Sequence, residues 1–240
     1  MNIFIPWSGG ADSTYLILKT LQEGHTVYSG YFELQNNKEK VKRELNAINK
    51  MLPFFKQYYK NTFIYQKNLT EIGLNGQKNI FHLCQPPIWI FSSIYSIEEN
   101  IDKVYLSYIM NDDAISYLKE IEQLFNSYLA FTDKKDLKLE FPLMKTSKQE
   151  ILSYIYEFEE DFLNYITFCE SSGETDNCGY CHTCMKWKFY ENKGWIPYYK
   201  QRFNKNNKKE NDVEMWEPVE EEIVEEEEVA ETLTDIKILD

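Results

Sequence analysis

The stretch that most constrains this chain is its beginning, residues 3–18, which read IFIPWSGGADSTYLIL. A short apolar run typical of a buried strand leads into Ser8-Gly9-Gly10, and the apolar residues that follow recur at helical spacing. A strand that passes through a glycine turn into a helix begins a β-α-β unit. We therefore predict an α/β fold in which helices flank a parallel sheet.

This turn is a candidate phosphate site. Two adjacent glycines allow φ > 0 and the close approach of a ligand, and the first N–H groups of the next helix point outward with the positive end of its dipole. Ser8, Ser13 and Thr14 add hydroxyl donors. Asp12 would repel phosphate unless it orients a backbone N–H or holds a divalent cation such as Mg²⁺. The motif lacks the lysine of a Walker loop, and the alternative is an ordinary strand-to-helix turn capped by serine.

The chain then alternates between strand and helix patterns. Further strands are predicted at 25–32, 62–65, 103–108 and 137–141, helices at 38–60, 86–95 and 114–129, and a loop at 67–85. Tyr31 and Phe32 end a predicted strand, either beside an adenine or as core aromatics. The run 111–113, Asn-Asp-Asp, follows another strand, either as a metal or substrate contact or as a helix cap.

A second candidate contact is Lys148. Ser147 and Glu150 form a capping box, which puts Lys148 in the first turn of a helix. A cation there opposes the helix dipole unless an anion lies nearby. Lys148 is therefore either a phosphate contact or a solvated surface lysine.

Four of the five cysteines lie close together, as Cys169, Cys178, Cys181 and Cys184. Their spacing suits a closed tetrahedral site for structural Zn²⁺, and an iron–sulfur cluster is the alternative. His182 lies inside the last gap and could replace one cysteine as a ligand. The fifth cysteine, Cys84, is either a nucleophile or a structural residue.

With these motifs in one order, the chain resembles the 7-cyano-7-deazaguanine synthase family of the PP-loop ATP pyrophosphatases, which has an adenine nucleotide alpha-hydrolase-like fold. The resemblance covers residues 2–203 and includes Pro142-Leu143-Met144 before Lys148. It implies an ATP-dependent ligase that adenylates 7-carboxy-7-deazaguanine or a related acid, and converts it with ammonia to an amide or nitrile. It also implies catalytic roles for Asp12 and Lys148, zinc on the four cysteines, and ATP with Mg²⁺ on the glycine loop: Ser8, Gly9, Gly10, Ala11, Asp12, Ser13 and Thr14.

Two segments depart from the family pattern. Residues 86–89, Pro-Pro-Ile-Trp, stand where the family has Pro-Gly-Arg-Asn, and residues 34–37 stand where it has Gly-Gln-x-His. Because both segments are expected to shape the substrate pocket, two other functions stay open. One is adenylation of a tRNA base with sulfur chemistry on Cys84, and the other is nucleotide binding without turnover.

Charge separates the body of the chain from its end. The net charge is −13, and residues 210–240 alone hold 14 acidic residues against one lysine. The neutral body does not indicate nucleic acid as a partner. We expect an ATP-binding domain at 1–160, a zinc-binding region at 161–203 and a disordered acidic tail at 204–240, which is either solvated or docked on a basic partner. With neither a signal segment nor a membrane span in the pattern, we expect a cytoplasmic protein, whose oligomeric state is left open, a homodimer included.

Overall fold

Five parallel strands form the sheet at the centre of the protein. The computed structural model describes residues 1–34, 37–72, 101–110, 112–173 and 177–203. The strands are β1 (Asn2–Pro6), β2 (Thr26–Leu34), β3 (Phe63–Ile72), β4 (Lys103–Tyr105) and β5 (Lys138–Glu140). Their order across the sheet is β3-β2-β1-β4-β5, and each neighbouring pair is parallel. The predicted parallel α/β architecture is confirmed.

Helices cover both faces of this sheet. They are α1 (Ala11–Gln22), α2 (Lys38–Tyr58), α3 (Leu118–Leu129), α4 (Lys148–Phe158), α5 (Phe162–Tyr165) and α6 (His182–Asn192). Single 3₁₀ turns occur at Asp113–Tyr117 and Tyr198–Lys200. Within the described ranges, no helix is both long and apolar enough to cross a bilayer.

The central strand β1 shows why the apolar run at the start of the chain forms a buried strand. Ile3, Phe4 and Ile5 are all fully buried. Ile3 and Ile5 pack into the core formed with α1, α2 and α4, whereas Phe4 packs into the core on the opposite face with α3. Successive side chains of a strand point to opposite faces, so a strand covered on both faces is apolar at every position.

Some predicted boundaries were wrong. Residues 67–72 were predicted as loop but continue β3, because the strand stays paired with β2 as far as Leu34 and Ile72. The strand predicted at 103–108 ends at Tyr105, and the helix predicted from residue 114 starts as a 3₁₀ turn and becomes α-helical at Leu118. The predicted loop at 73–85 and helix at 86–95 lie outside the described residues.

Candidate nucleotide and metal site

The site lies where the direction of chain connection reverses in the sheet. β1 has β2 on one side and β4 on the other, and in open parallel sheets such a switch point opens a crevice at the carboxyl ends of the strands. A cleft of about 310 Å³ occupies this position. It is lined by the glycine loop after β1, by the segment after β4, and by residues of α4 and α6.

Of the two adjacent glycines, Gly9 has the positive φ that the glycine turn allows, and Gly10 does not. Gly9 has φ +72°, and a Cβ atom placed there would lie 2.9 Å from Cβ of Ala47 on α2. Gly10 is extended, with φ −82° and ψ 167°, and precedes the first turn of α1. Gly9 is therefore required by its positive φ and by its close contact with α2.

The hydroxyl groups of the loop point in different directions. Oγ of Ser8 and Oγ of Ser13 lie 3.5 Å apart at the edge of the cleft. Thr14 is fully buried, and its Oγ1 accepts a hydrogen bond of 3.0 Å from the indole N–H of Trp7. The Thr14 N–H donates to the Gly10 carbonyl at 3.1 Å, the first bond of the helix, so the N–H groups of residues 11–13 have no carbonyl partner within α1.

Asp12 and Lys148, which are far apart in sequence, form an ion pair in the cleft. Lys148 occupies the first turn of α4, where the predicted cap is present because Ser147 Oγ accepts a hydrogen bond of 3.1 Å from the Glu150 N–H. The Lys148 side chain is only 14% exposed. Its burial lowers the pKa, but the Asp12 carboxylate opposes this effect, so the net shift raises the pKa of Lys148. The ammonium therefore stays charged in the cleft.

Asp112 lies in the same cleft and has a different environment. Its Oδ2 accepts a hydrogen bond of 2.9 Å from the Ile109 N–H. Burial raises the pKa of Asp112, the nearby Asp12 carboxylate raises it further, and the Ile109 N–H and Lys148 oppose both effects. Of the predicted run at 111–113, the structure places Asp112 in the cleft, whereas residue 111 and the side chain of residue 113 lie outside the description.

Helix α6 contributes three cleft residues, of which the sequence analysis named only His182, as a possible metal ligand. His182, Lys186 and Tyr190 recur every four residues, which puts them on one face of the helix, and all three line the cleft. Burial raises the pKa of the Tyr190 hydroxyl, and nearby Lys148 opposes this shift. The four-residue spacing of these polar residues could have indicated a common helix face. Without the fold, the sequence could not show that this face lines the cleft.

A smaller pocket of about 50 Å³ adjoins the cleft beyond the ends of β1 and β2. Tyr31 and Phe32 line it, although each is buried to more than nine-tenths. The Tyr31 hydroxyl donates a hydrogen bond of 2.6 Å to Oε2 of Glu44 on α2. The two aromatic residues therefore belong to the core and to the pocket wall at once.

The four clustered cysteines converge. The Sγ atoms of Cys169, Cys178, Cys181 and Cys184 all lie within 4.8 Å of one another, and those of Cys178 and Cys184 are 3.8 Å apart. Four thiolates around one tetrahedral ion, each about 2.3 Å from it, would be about 3.8 Å apart. Gly179, with φ +78°, makes the tight turn between two of them. The arrangement fits a metal ion with four sulfur ligands, and within the described residues His182 is not part of it.

A buried arginine from α2 holds the loop that carries Cys169. Arg43 is 6% exposed, and its guanidinium donates to the carbonyls of Cys169, Ser171 and Gly173, at 3.1 Å for Cys169 and 2.8 Å for Gly173. The sequence analysis missed this residue because a single arginine in an amphipathic helix gives no sign of burial.

The cysteine loop also contacts the glycine loop directly. The Thr167 N–H donates a hydrogen bond of 3.1 Å to the Gly9 carbonyl. Two residues later, Cys169 lines the cleft as well as the cysteine cluster. The candidate metal site and the candidate phosphate site therefore lie on adjoining walls of one cleft.

Several predicted features fall on residues outside the description. They are Cys84, the altered segment 86–89, residues 35 and 36 of the other altered segment, and the acidic tail from residue 204.

Comparison with known proteins supports the resemblance. Residues 91–192, which include all four clustered cysteines, match the family model described as queuosine biosynthesis protein QueC. The 7-cyano-7-deazaguanine synthases of Methanococcus aeolicus and Methanocaldococcus jannaschii are each 25% identical to this chain, and each match covers 75% of this chain and 90% of the relative.

A solved structure is similar in fold. The crystal structure of a 4-thiouridine synthetase–RNA complex with bound ATP matches 82% of this chain and 50% of its own chain, with a TM-score of 0.51 and 16% identity. This likeness concerns the fold alone. The chain is therefore similar to the QueC family over residues 91–192 and to the two archaeal 7-cyano-7-deazaguanine synthases over three quarters of its length.

Proposed function

We propose that this protein is an ATP-dependent ligase of the 7-cyano-7-deazaguanine synthase type. It adenylates the carboxylate of 7-carboxy-7-deazaguanine or a related acid with release of pyrophosphate, and ammonia then displaces AMP to give the amide. Formation of a nitrile would take a second ATP, which activates the amide oxygen so that it leaves with AMP. The observation that carries this proposal is the cleft at the switch point, where the N-terminus of α1 faces Lys148. The names of the two archaeal relatives support the choice of substrate.

The described residues fit the demands of adenylation. The N–H groups of residues 11–13 and the hydroxyls of Ser8 and Ser13 bind the phosphates to be released. Lys148 neutralises the negative charge that develops as a carboxylate oxygen approaches the α-phosphate. Both reactants are anionic, so positioning them in line is the main task of the cleft.

Two carboxylates suit a divalent cation. Asp12 and Asp112 both line the cleft, and oxygen ligands of this kind are those that Mg²⁺ prefers. When bound there, Mg²⁺ would neutralise phosphate charge. The Lys148 ammonium would then bind the nucleotide phosphates as well as Asp12, since it has three N–H donors.

For the cysteine cluster we propose Zn²⁺ in a structural role. Four sulfur ligands leave no open coordination position, which is typical of structural zinc. Cysteines that hold a [4Fe–4S] cluster each bind a different iron, so their sulfurs stand further apart than thiolates on one ion. The spread of at most 4.8 Å favours a single ion. Metal analysis of the purified protein should find about one zinc and no iron per chain.

The reaction is tested with purified protein, ATP, Mg²⁺, ammonia and 7-carboxy-7-deazaguanine. We expect acid-dependent release of pyrophosphate and AMP, together with the amide or nitrile. Lys148→Met should lower the rate by about 100-fold or more. Lys145→Met, which removes an exposed lysine close by in sequence, should leave the rate unchanged.

The same assay separates the other two functions. Pyrophosphate release that depends on tRNA, and is lost in Cys84→Ser, would replace the proposal with a sulfur-inserting enzyme. Tight ATP binding without turnover of any acid would replace it with a regulatory nucleotide-binding protein.

A further inference from the structure

The small pocket and the cleft share part of their lining. The pocket of about 50 Å³ ends against Gly30, Tyr31 and Phe32 of β2, and the cleft of about 310 Å³ contains the glycine loop. The residues that line both cavities form the boundary between them: Ser8, Ser13, Lys40, Glu44 and Ser107.

In a bound nucleotide, this boundary corresponds to the sugar. The inference rests on the proposed function, in which the glycine loop binds the phosphates of ATP. The largely apolar pocket beyond β1 and β2 then takes the adenine, because aromatic residues such as Trp7, Tyr31 and Phe32 line it. The sugar joins base and phosphates, so it lies at the boundary between the two cavities.

Among the boundary residues, Glu44 has the chemistry that a sugar diol needs. Ribose hydroxyls donate hydrogen bonds, and a carboxylate accepts them more strongly than a neutral oxygen does. The Ser8 and Ser13 hydroxyls lie within reach of each other at 3.5 Å, and Lys40 pairs with Glu170 at 3.5 Å. Glu44 is held at one oxygen by the Tyr31 hydroxyl, at 2.6 Å, which orients the carboxylate.

We propose that Glu44, oriented by Tyr31, accepts hydrogen bonds from the ribose hydroxyls of ATP and selects ribonucleotides over deoxyribonucleotides. Burial raises the pKa of Glu44, and Lys40 and the Tyr31 hydroxyl oppose this shift. Glu44 is half-buried between the two cavities, and a ribose hydroxyl would supply a donor that a deoxyribose lacks. An acceptor left unsatisfied on binding of the deoxy analogue is the physical source of the selection.

The test measures dissociation constants by calorimetry for ATP, 2′-deoxy-ATP and 3′-deoxy-ATP with the full chain. We expect the wild type to bind at least one deoxy analogue about tenfold or more weakly than ATP. In Glu44→Gln, the three constants should fall within about threefold of one another, mainly because ATP binds less tightly. Tyr31→Phe should give an intermediate preference, since the carboxylate remains but loses its orienting donor.

A matched control lies five residues earlier on α2. Glu39→Gln changes a carboxylate that pairs with the exposed Lys42 at 2.7 Å and lines neither cavity, so the preference should stay as in the wild type. If Glu44→Gln fails to fold, the wild type and Tyr31→Phe still decide the question.

Equal binding of ATP and both analogues to the wild type would overturn the proposal, and so would an unchanged preference in a folded Glu44→Gln. In both cases ATP binds, and the proposed function survives. A wild type that binds no ATP would overturn the proposed function itself, and this inference with it.

Discussion

The two walls of the cleft are built in different ways. The glycine-loop wall comes from one continuous stretch, in which β1 runs into the loop and α1, and backbone hydrogen bonds hold it. The cysteine wall, residues 166–203, contains no strand among its described residues. It is held by long side chains that donate to distant carbonyls, as Arg43 does to the cysteine loop and Arg202 does to Leu163 and Ile166 at 2.7 Å.

This difference indicates which interactions stabilise each wall. The glycine loop is positioned mainly by the strand pairing of β1 before it and by the start of α1 after it. The cysteine wall needs buried polar contacts and thiolate ligands, and removing one partner of such a contact leaves the other unsatisfied. Substitutions in the cysteine wall should therefore destabilise the protein more than substitutions in the glycine-loop wall. The resulting loss of structure should extend less into the sheet.

The largest effect is expected from loss of a metal ligand. Cys184→Ser alters a fully buried cysteine of the cluster. Because metal binding can supply about 10–16 kcal/mol of apparent folding energy in small zinc domains, we expect loss of the metal and a fall in Tm of about 10 °C or more. Hydrogen exchange should accelerate in residues 166–203 while β1 stays protected.

His182→Ala is the matched control, since His182 lies outside the cluster. It should keep the metal content and Tm of the wild type. A Cys184→Ser protein with unchanged metal content, or with equal loss of protection in β1, would contradict the contrast between the walls.

Arg43→Met should have the next largest effect. It keeps much of the side-chain volume but leaves the carbonyls of Cys169, Ser171 and Gly173 without this donor. We expect a loss of about 3 kcal/mol in the free energy of unfolding, measured with urea. Lys42→Met, at an exposed neighbouring position, should change it little because surface ion pairs contribute little. Equal effects of the two substitutions would argue against a cysteine loop held by Arg43.

Gly9→Ala tests the glycine-loop wall. Alanine at φ +72° is strained, and its Cβ would lie 2.9 Å from Cβ of Ala47, so we expect a loss of about 2 kcal/mol in unfolding free energy. Gly24 has φ +83° and nothing within 4 Å of a Cβ. Gly24→Ala therefore carries only the backbone strain, about 1 kcal/mol, and the difference between the variants measures contact with α2. Identical losses in unfolding free energy would mean that α2 moves enough to accommodate the added methyl group.

The smallest effect on the free energy of unfolding is expected at Asp112, where the substitution should stabilise the protein. Because burial raises the pKa of this carboxyl in the folded protein, its ionised form destabilises the fold above that pKa. Asp112→Asn, whose amide oxygen can still accept from Ile109, should be more stable than the wild type by about 1 kcal/mol or less near pH 8. The gain should shrink as the pH falls through the raised pKa, because the wild-type carboxyl then becomes protonated.

Unfolding in urea from about pH 8 to about pH 4 checks this prediction. Asp133→Asn, at an exposed position, is the control and should show no such trend. A gain for Asp112→Asn that is independent of pH would mean that ionisation is not its cause.

Much of the glycine-loop wall could be predicted from local patterns. The apolar run of β1, the turn at Gly9 and the capping box at Ser147 and Glu150 each depend on residues near in sequence, and the structure contains all three. The sequence predicted Thr14 as a hydroxyl donor of the phosphate site, but its Oγ1 is buried and accepts a hydrogen bond from the Trp7 indole N–H, a contact that no local pattern indicates. The cysteine spacing likewise predicted convergence, but not the arginine that holds the loop.

The strand, turn and helix at the start of the chain and the four clustered thiols follow from the sequence alone, because short-range sterics and ligand spacing decide both. Three features follow from the tertiary structure instead: the ion pair of Asp12 and Lys148, the position of Lys186 and Tyr190 in the cleft, and the place of Glu44 between two cavities. These features depend on the order β3-β2-β1-β4-β5 and on how helices pack over it. Strand order follows from burial summed over the whole chain, which no local pattern contains.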